Sequence, residues 1–294
     1  MSFSLPSFAK INWHLRILGK REDGFHELFT VFQTVSLCDT ITFNEDGALR
    51  LTCDTQSVPT DDRNLIIRAA KALQDRFGVE KGAAIHLEKR IPSPGGLGGG
   101  SSNGAVALIG LRRLWSLAVD DSELKSIASE FGSDVPFFLE GGTAIGTGRG
   151  EVVEASDDVR EQFMVIVTPD VSVSTKVAFE RINAPTLTKE RLKHILHFCR
   201  EQAGSRDFGG TVLKNDFEMS VFIAHPEIER VKERLFELGA VNAAMSGSGA
   251  SVFATFDKQE TRQTALKALD YESTWRKFAV ATISRSEYRE ALHL

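Results

Sequence analysis

The sequence predicts an α+β protein of two domains, residues 1–160 and 161–294, with a ligand cleft between them. Three observations lead there. The chain has 294 residues, 42% of them hydrophobic, enough to bury a large core and to divide in two. Period-two strand patterns and longer apolar helical runs occur in both halves. A polar break, Ala155 to Gln162, separates those halves just before an apolar strand at 163–167.

In the first half, alternation marks strands near 7–18, 28–36, 39–45, 48–53 and 83–90. Helical spacing marks 63–78, 102–117 and 121–131. After the break, helices are expected near 174–182, 188–203, 227–239 and 259–269. Strands are expected near 242–246, 251–256 and 277–284. A formal net charge of −5 without a basic run argues against nucleic-acid partners. Three cysteines, none in a C-x-x-C pair, argue against a disulfide framework or zinc knuckle. With no signal-like leader and no apolar stretch long enough for a bilayer, a reducing cytoplasm is the expected setting.

The stretch P-S-P-G-G-L-G-G-G-S-S-N-G-A, Pro92 to Ala105, is the most informative. Glycines in such number mark a backbone path that other residues cannot follow. A flexible linker would also be glycine-rich, but this run lies between a strand and an apolar helix that Ser101 or Ser102 can cap. Strand, glycine loop and helix N-terminus together present free N–H groups and a helix dipole to phosphate. No lysine follows the glycines, so this is not a P-loop, and Ser101 occupies the third glycine position of a dinucleotide fingerprint.

Elsewhere the residues admit two readings. In F-A-K-I-N-W-H-L-R-I-L, Phe8 to Leu18, alternation gives Lys10, Asn12, His14 and Arg16 one face. A wet strand face accounts for His14 and Arg16, whereas Lys10 and Asn12, near the strand's start, leave room for a ligand. Phe25 and His26, between Gly24 and Glu27, suit a flat heterocycle, although a hairpin folding Phe25 onto the core is the simpler reading. Phe29 and Phe32 belong to the next strand, and one of them could line the same cleft. Asp134 precedes Pro136 as an N-cap would, and could equally face the glycine loop. Gly247 and Gly249 fit a tight hairpin, or a second part of an anion site. His194, His197 and Cys199 lack a carboxylate at ligand spacing, so no metal site is expected there.

In their order, F-A-K-I-N, R-E-D-G-F-H, R-N-L-I, I-P-S-P-G-G-L-G-G-G-S-S-N, G-S-D-V-P-F-F, K-N-D-F-E and M-S-G-S-G-A-S-V-F-A resemble the segments of the GHMP kinase superfamily. The aromatic–histidine pair after Asp23-Gly24 is similar to the branch that phosphorylates a cytidine-diphosphate methylerythritol in non-mevalonate isoprenoid synthesis. The resemblance implies a ribosomal-protein-S5-like N-terminal domain and a ferredoxin-like C-terminal domain. It implies ATP as donor, Mg2+ as cofactor, and Lys10 and Asp134 as the catalytic pair, with Lys10 orienting the carboxylate. ATP would contact Asn64, Pro92, Gly95, Gly96, Leu97, Gly98, Gly99, Gly100, Ser101 and Ser102. The substrate would contact Asn12, Phe25, His26, Phe32 and Phe179, its cytosine sandwiched by Phe25 and Phe179 with His26 at the ring edge. Phe25 stands where the family usually has tyrosine, and Pro94 where it usually has glycine.

Overall fold

A computed structural model describes residues 2–160, 162–182, 184, 185, 187, 192, 195–197, 199 and 213–294. The first sheet is built on two long strands, β1 (Ser2–Lys20) and β2 (His26–Asp46), paired antiparallel along almost their whole length. β2 was expected as two strands. It runs on because a register shift between Phe8 and Ala9 absorbs the residues around Ser36 as a bulge. β3 (Leu49–Cys53) and β4 (Gly82–Glu88) extend one edge, giving the order β3-β4-β2-β1. β5 (Thr143–Gly148) and β6 (Val152–Ala155) continue from the other half of β2.

Two helices cover this sheet. α1 (Leu65–Phe77) begins at Asn64, whose side chain accepts from the Ile66 N–H, and ends at Gly78, φ 61°. α2 (Gly99–Leu114) is buried on nearly every side and comes close to its neighbours through glycine: a Cβ on Gly110 would meet the Phe43 ring at 2.4 Å. α3 (Asp121–Ser129) and the single turn α4 (Phe137–Glu140) complete the layer.

The second sheet, order β11-β7-β10-β9, is antiparallel: β7 (Phe163–Pro169), β9 (Asn242–Met245), β10 (Val252–Phe256) and β11 (Trp275–Val280). Its helices include α5 (Thr175–Glu180), α6 (Glu218–Ala224), α7 (Pro226–Glu237) and α8 (Gln259–Ala268). The helix expected at 188–203 falls largely outside the described residues, as does His194. The α+β architecture is the expected one, and its strands form two sheets.

The two sheets share a core. Ala9, Ile11 and Trp13 of β1 pack with Met164, Ile166 and Phe253 of the second sheet, with Trp13 edge-on to Phe253 at 5.4 Å. Two further elements, absent from the sequence reading, tie the halves together. β8 (Lys214–Asn215) pairs parallel with β1, and α9 (Arg285–Leu292) buries Tyr288 in the first core.

Candidate active site

Strand β4 delivers the chain to the glycine loop, and both ends of that loop are pinned by one carboxylate. Asp39, fully buried on β2, accepts from the Arg90 and Ile91 amides at 2.7 and 2.8 Å, the Lys89 Nζ at 2.5 Å and the Asn103 Nδ2 at 2.9 Å. Residues 89–91 precede the loop; Asn103 sits in the helix after it. Burial pulls the Lys89 ammonium's pKa down while Asp39 opposes that shift. The sequence reading missed Asp39, because a lone aspartate in an alternating strand looks like any wet-face residue.

The loop itself turns through Gly96 at φ 72° and Gly98 at φ 68°, the left-handed region that glycine enters without cost. Gly98 is the N-cap of α2 and makes no side-chain cap bond, so the helix starts earlier than expected. Ser101 and Ser102 lie within its first turn. Ser102 is buried and its Oγ accepts from Ser7 Oγ at 2.8 Å, a structural bond and not a cap. The first-turn amides of a helix have no partner within it, so those of Gly99, Gly100 and Ser101 are available to an anion.

The second glycine turn braces the first. Ser246 Oγ donates to the Gly96 carbonyl at 3.0 Å, and the Ser251 amide donates to the Gly95 carbonyl at 3.1 Å. A Cβ on Gly96 would lie 2.1 Å from the Ser246 carbonyl oxygen. Asn215, from K-N-D-F-E, holds that turn in place: its Nδ2 donates to the Met245 and Gly247 carbonyls at 2.7 and 2.8 Å. The 247–249 hairpin is therefore packed on the phosphate loop.

Lys10 is the centre of the site. Its side chain is 4% exposed. Nζ donates to Asn12 Oδ1 at 2.7 Å and to the Gly96 carbonyl at 3.0 Å, and lies 3.4 Å from Asp134 Oδ2. Asn12 is also buried, with Nδ2 donating to Thr30 Oγ1 at 2.7 Å, so its amide positions the lysine. Phe32 lies under the ammonium at 5.7 Å and stacks on Phe137 at 4.8 Å. Asp134 does not cap a helix: Pro136 is the N-cap of α4, which has no side-chain cap bond. Its carboxylate, about one-third exposed, faces Lys10. α4 is held from behind by Tyr288, whose hydroxyl donates to the Phe138 carbonyl at 2.5 Å.

Lys10, Asn12, Phe32, Asp134, Pro92, Gly95 to Ser101, and Phe179 all line one cavity of about 490 Å³. Asn64 and Ser102 do not; Asn64 spends its amide on capping α1 and on the Pro59 carbonyl at 2.7 Å. His14 was expected on a wet face, yet it is buried. Burial, then Arg16 and Lys214, lower its pKa to about 4.

Phe25, His26 and Phe179 line an adjoining cavity of about 790 Å³. They meet there, but not as an open sandwich. His26 stacks on Phe179, centroids 5.2 Å apart and planes 20° apart, instead of presenting its edge. The Phe25 ring, 53% exposed, is not folded onto the core, and the Arg149 guanidinium lies 5.0 Å from its centre. Among the described residues no three His, Cys, Asp or Glu side chains gather as metal ligands. No helix of the described residues is long and apolar enough to cross a membrane.

A cleft that joins an anion cradle to a lysine–aspartate pair suits phosphoryl transfer. Comparison with known proteins agrees. Residues 64–142 match the family model described as GHMP kinases N terminal domain, and residues 192–273 match GHMP kinases C terminal. A 4-diphosphocytidyl-2-C-methyl-D-erythritol kinase of Syntrophus aciditrophicus is 38% identical over 276 residues, covering 94% of this chain and 97% of its own length. One from Chlorobium phaeobacteroides is 41% identical over 272 residues, 90% and 92% of the two chains. A crystal structure of 4-(cytidine 5'-diphospho)-2C-methyl-D-erythritol kinase superposes with a TM-score of 0.76 at 31% identity, covering 96% of this chain and 99% of that one. Homoserine kinase from Cytophaga hutchinsonii shares the fold at 19% identity, TM-score 0.69, over 97% and 95% of the chains. The chain belongs to the GHMP kinase family and, within it, to the 4-diphosphocytidyl-2-C-methyl-D-erythritol kinases.

Proposed function

We propose that this cleft transfers the γ-phosphoryl group of ATP to the tertiary C2 hydroxyl of 4-diphosphocytidyl-2-C-methyl-D-erythritol. The products are the 2-phosphate and ADP, and the setting is cytoplasmic. In this reading residues 1–160 carry the loop and the catalytic pair, and residues 161–294 brace the loop and close the cleft. One observation carries it: Lys10 Nζ bridges the Gly96 carbonyl of the cradle and the Asp134 carboxylate, at 3.0 and 3.4 Å.

Phosphoryl transfer asks for in-line positioning and charge stabilisation more than covalent chemistry. The substrate oxygen attacks the γ-phosphorus, its O–P bond forms as the β–γ bridging P–O bond breaks, and the hydroxyl proton passes to Asp134. Lys10 fixes that carboxylate and lies at the edge of the cradle, where its charge opposes the charge developing on the transferred group. The amides of Gly99 to Ser101 and the α2 dipole act from the other side. The cytidyl end occupies the cavity of Phe25, His26 and Phe179, with Phe32 and Asn12 toward the methylerythritol end.

Mg2+ commonly binds through substrate phosphates and its own waters, with one or two protein oxygens, which suits a site where the described residues gather no carboxylate cluster. Here the Ser101 hydroxyl, which lines the cavity beside the glycine loop, is the protein oxygen that would hold it, and its role when bound would be to neutralise phosphate charge. The test is ADP release from ATP with a panel of acceptors: the cytidyl substrate, homoserine, mevalonate and galactose. Turnover is expected with the cytidyl substrate alone; preference for another acceptor would sink the reading.

A further inference from the structure

The charged loop that presents Phe25 and His26 is built around one buried carboxylate. Glu27 follows His26 at the start of β2. Its Oε1 accepts from the Gly148 amide at 3.0 Å, and its Oε2 from the Arg21 Nη1 at 2.9 Å. Arg21 also holds Asp23, with Nε 3.1 Å and Nη2 3.0 Å from the Asp23 Oδ2. Asp23 Oδ1 accepts from the Phe25 amide at 3.1 Å, and the Phe25 carbonyl accepts from the Arg21 amide at 2.8 Å. The backbone of Phe25 is thus held at both its N–H and its C=O. Arg21, Asp23 and Glu27 line neither cavity, so they act from behind the rings. On its other side the carboxylate reaches the end of β5. There Gly148, at φ 71°, turns into the hairpin whose Arg149 guanidinium lies 5.0 Å from the centre of the Phe25 ring.

We propose that Glu27 is a positioning residue for base recognition. Through Arg21 it fixes the turn that presents Phe25 and His26, and through Gly148 it fixes the hairpin beside them. This rests on the proposed function, which sets the cytidyl end of the substrate against those rings. A carboxylate removed from water needs a counter-charge and hydrogen-bond donors, and the two contacts supply both. Glu22 to Phe25 are exposed, a stretch that burial alone does not hold. The Arg21 fork ties it down by meeting Asp23 with one edge and Glu27 with the other, which the point charge of a lysine matches only in part. The rings are therefore ordered during folding, and binding has less left to order.

The test is calorimetric titration of the cytidyl substrate with the glycine loop filled by a non-hydrolysable ATP analogue, and of that analogue alone. Glu27→Gln keeps an acceptor for the Gly148 amide but removes the charge that holds Arg21. With two aromatic side chains left to order on binding, substrate affinity should fall roughly 5–50-fold, while affinity for the analogue stays within about threefold. Arg21→Met, at a residue about one-third exposed, should give the same selective loss without a buried substitution, and Arg21→Lys should recover part of it. Equal losses for both ligands, or a lower Tm with unchanged substrate affinity, would mean that Glu27 only supports the fold; either overturns the proposal. So would an Arg21→Met chain that binds the substrate like wild type. A wild-type chain that bound the analogue but not the cytidyl substrate would sink the substrate reading itself, and this proposal with it.

Discussion

Gly96→Ala tests whether the C-terminal turn holds the phosphate loop in shape. The new methyl would lie 2.1 Å from the Ser246 carbonyl oxygen, which is backbone and cannot swing aside. Loop and turn must then part by about an ångström to restore ordinary contact, and Gly96 already sits at φ 72°. A left-handed conformation costs a residue with a Cβ about 1–2 kcal/mol. Parting the loop also weakens the Ser246–Gly96 and Ser251–Gly95 hydrogen bonds, about 1 kcal/mol each, and the charged bond from Lys10, about 1.5–3 kcal/mol. With partial relaxation the cradle loses about 3–4 kcal/mol, or roughly 10²–10³-fold in nucleotide affinity. Calorimetry with a non-hydrolysable ATP analogue measures this. Gly100→Ala is the control: its methyl meets nothing within 4 Å and helix propensity favours alanine, so its Tm should hold or rise. If Gly96→Ala bound the analogue within threefold of wild type, the contact between the two turns would not be what shapes the cradle.

Three further outcomes follow from the same geometry. Asp134→Asn keeps the turn but cannot take the proton, so kcat should fall roughly 10²–10⁴-fold with ATP binding intact; turnover within a few-fold of wild type would put the base elsewhere. Phe25→Ala removes an exposed ring, so Tm should not move, while KM for the cytidyl substrate should rise roughly 5–150-fold and KM for ATP stay level. A matched rise in both KM values would separate Phe25 from the base. His14 is held below its unfolded value, so it favours folding while neutral: the contribution is full above 6.5 and is lost as pH falls toward about 4. The span amounts to about 3 kcal/mol, and His14→Gln should flatten the decline of Tm across that window; parallel declines in variant and wild type would refute the assignment.

Local chemistry made much of this site legible in the sequence. The left-handed turns at Gly96 and Gly98 and the helix after them follow from residue type alone, and so does the strand that carries Lys10 and Asn12. What sequence could not show depends on long-range placement. Asp39 is just another residue of an alternating strand until β4 and α2 bring Lys89 and Asn103 onto it. His14 and Lys10 share one periodicity, and only distant segments, β8 beside His14 and the glycine loop on Lys10, decide that this face is buried. Ser102 looks like a cap because the left-handed Gly98 that begins the helix has no side chain to signal it. Arg149 was not legible for the same reason as Asp39: only the folded β5–β6 hairpin sets it between two cavities that residues distant in sequence create.

The most direct test of the central claim is the phosphorus NMR spectrum of the reaction product. After incubation with ATP and the cytidyl substrate, the account predicts one new phosphomonoester resonance, appearing one-for-one with ADP, and the substrate's two diphosphate resonances retained. ADP without a new ester would mean that water, not the C2 hydroxyl, reaches the cradle. Loss of the diphosphate pair would mean that the chemistry occurs at the bridge. Either result would contradict a cleft that sets Asp134 against the substrate's hydroxyl.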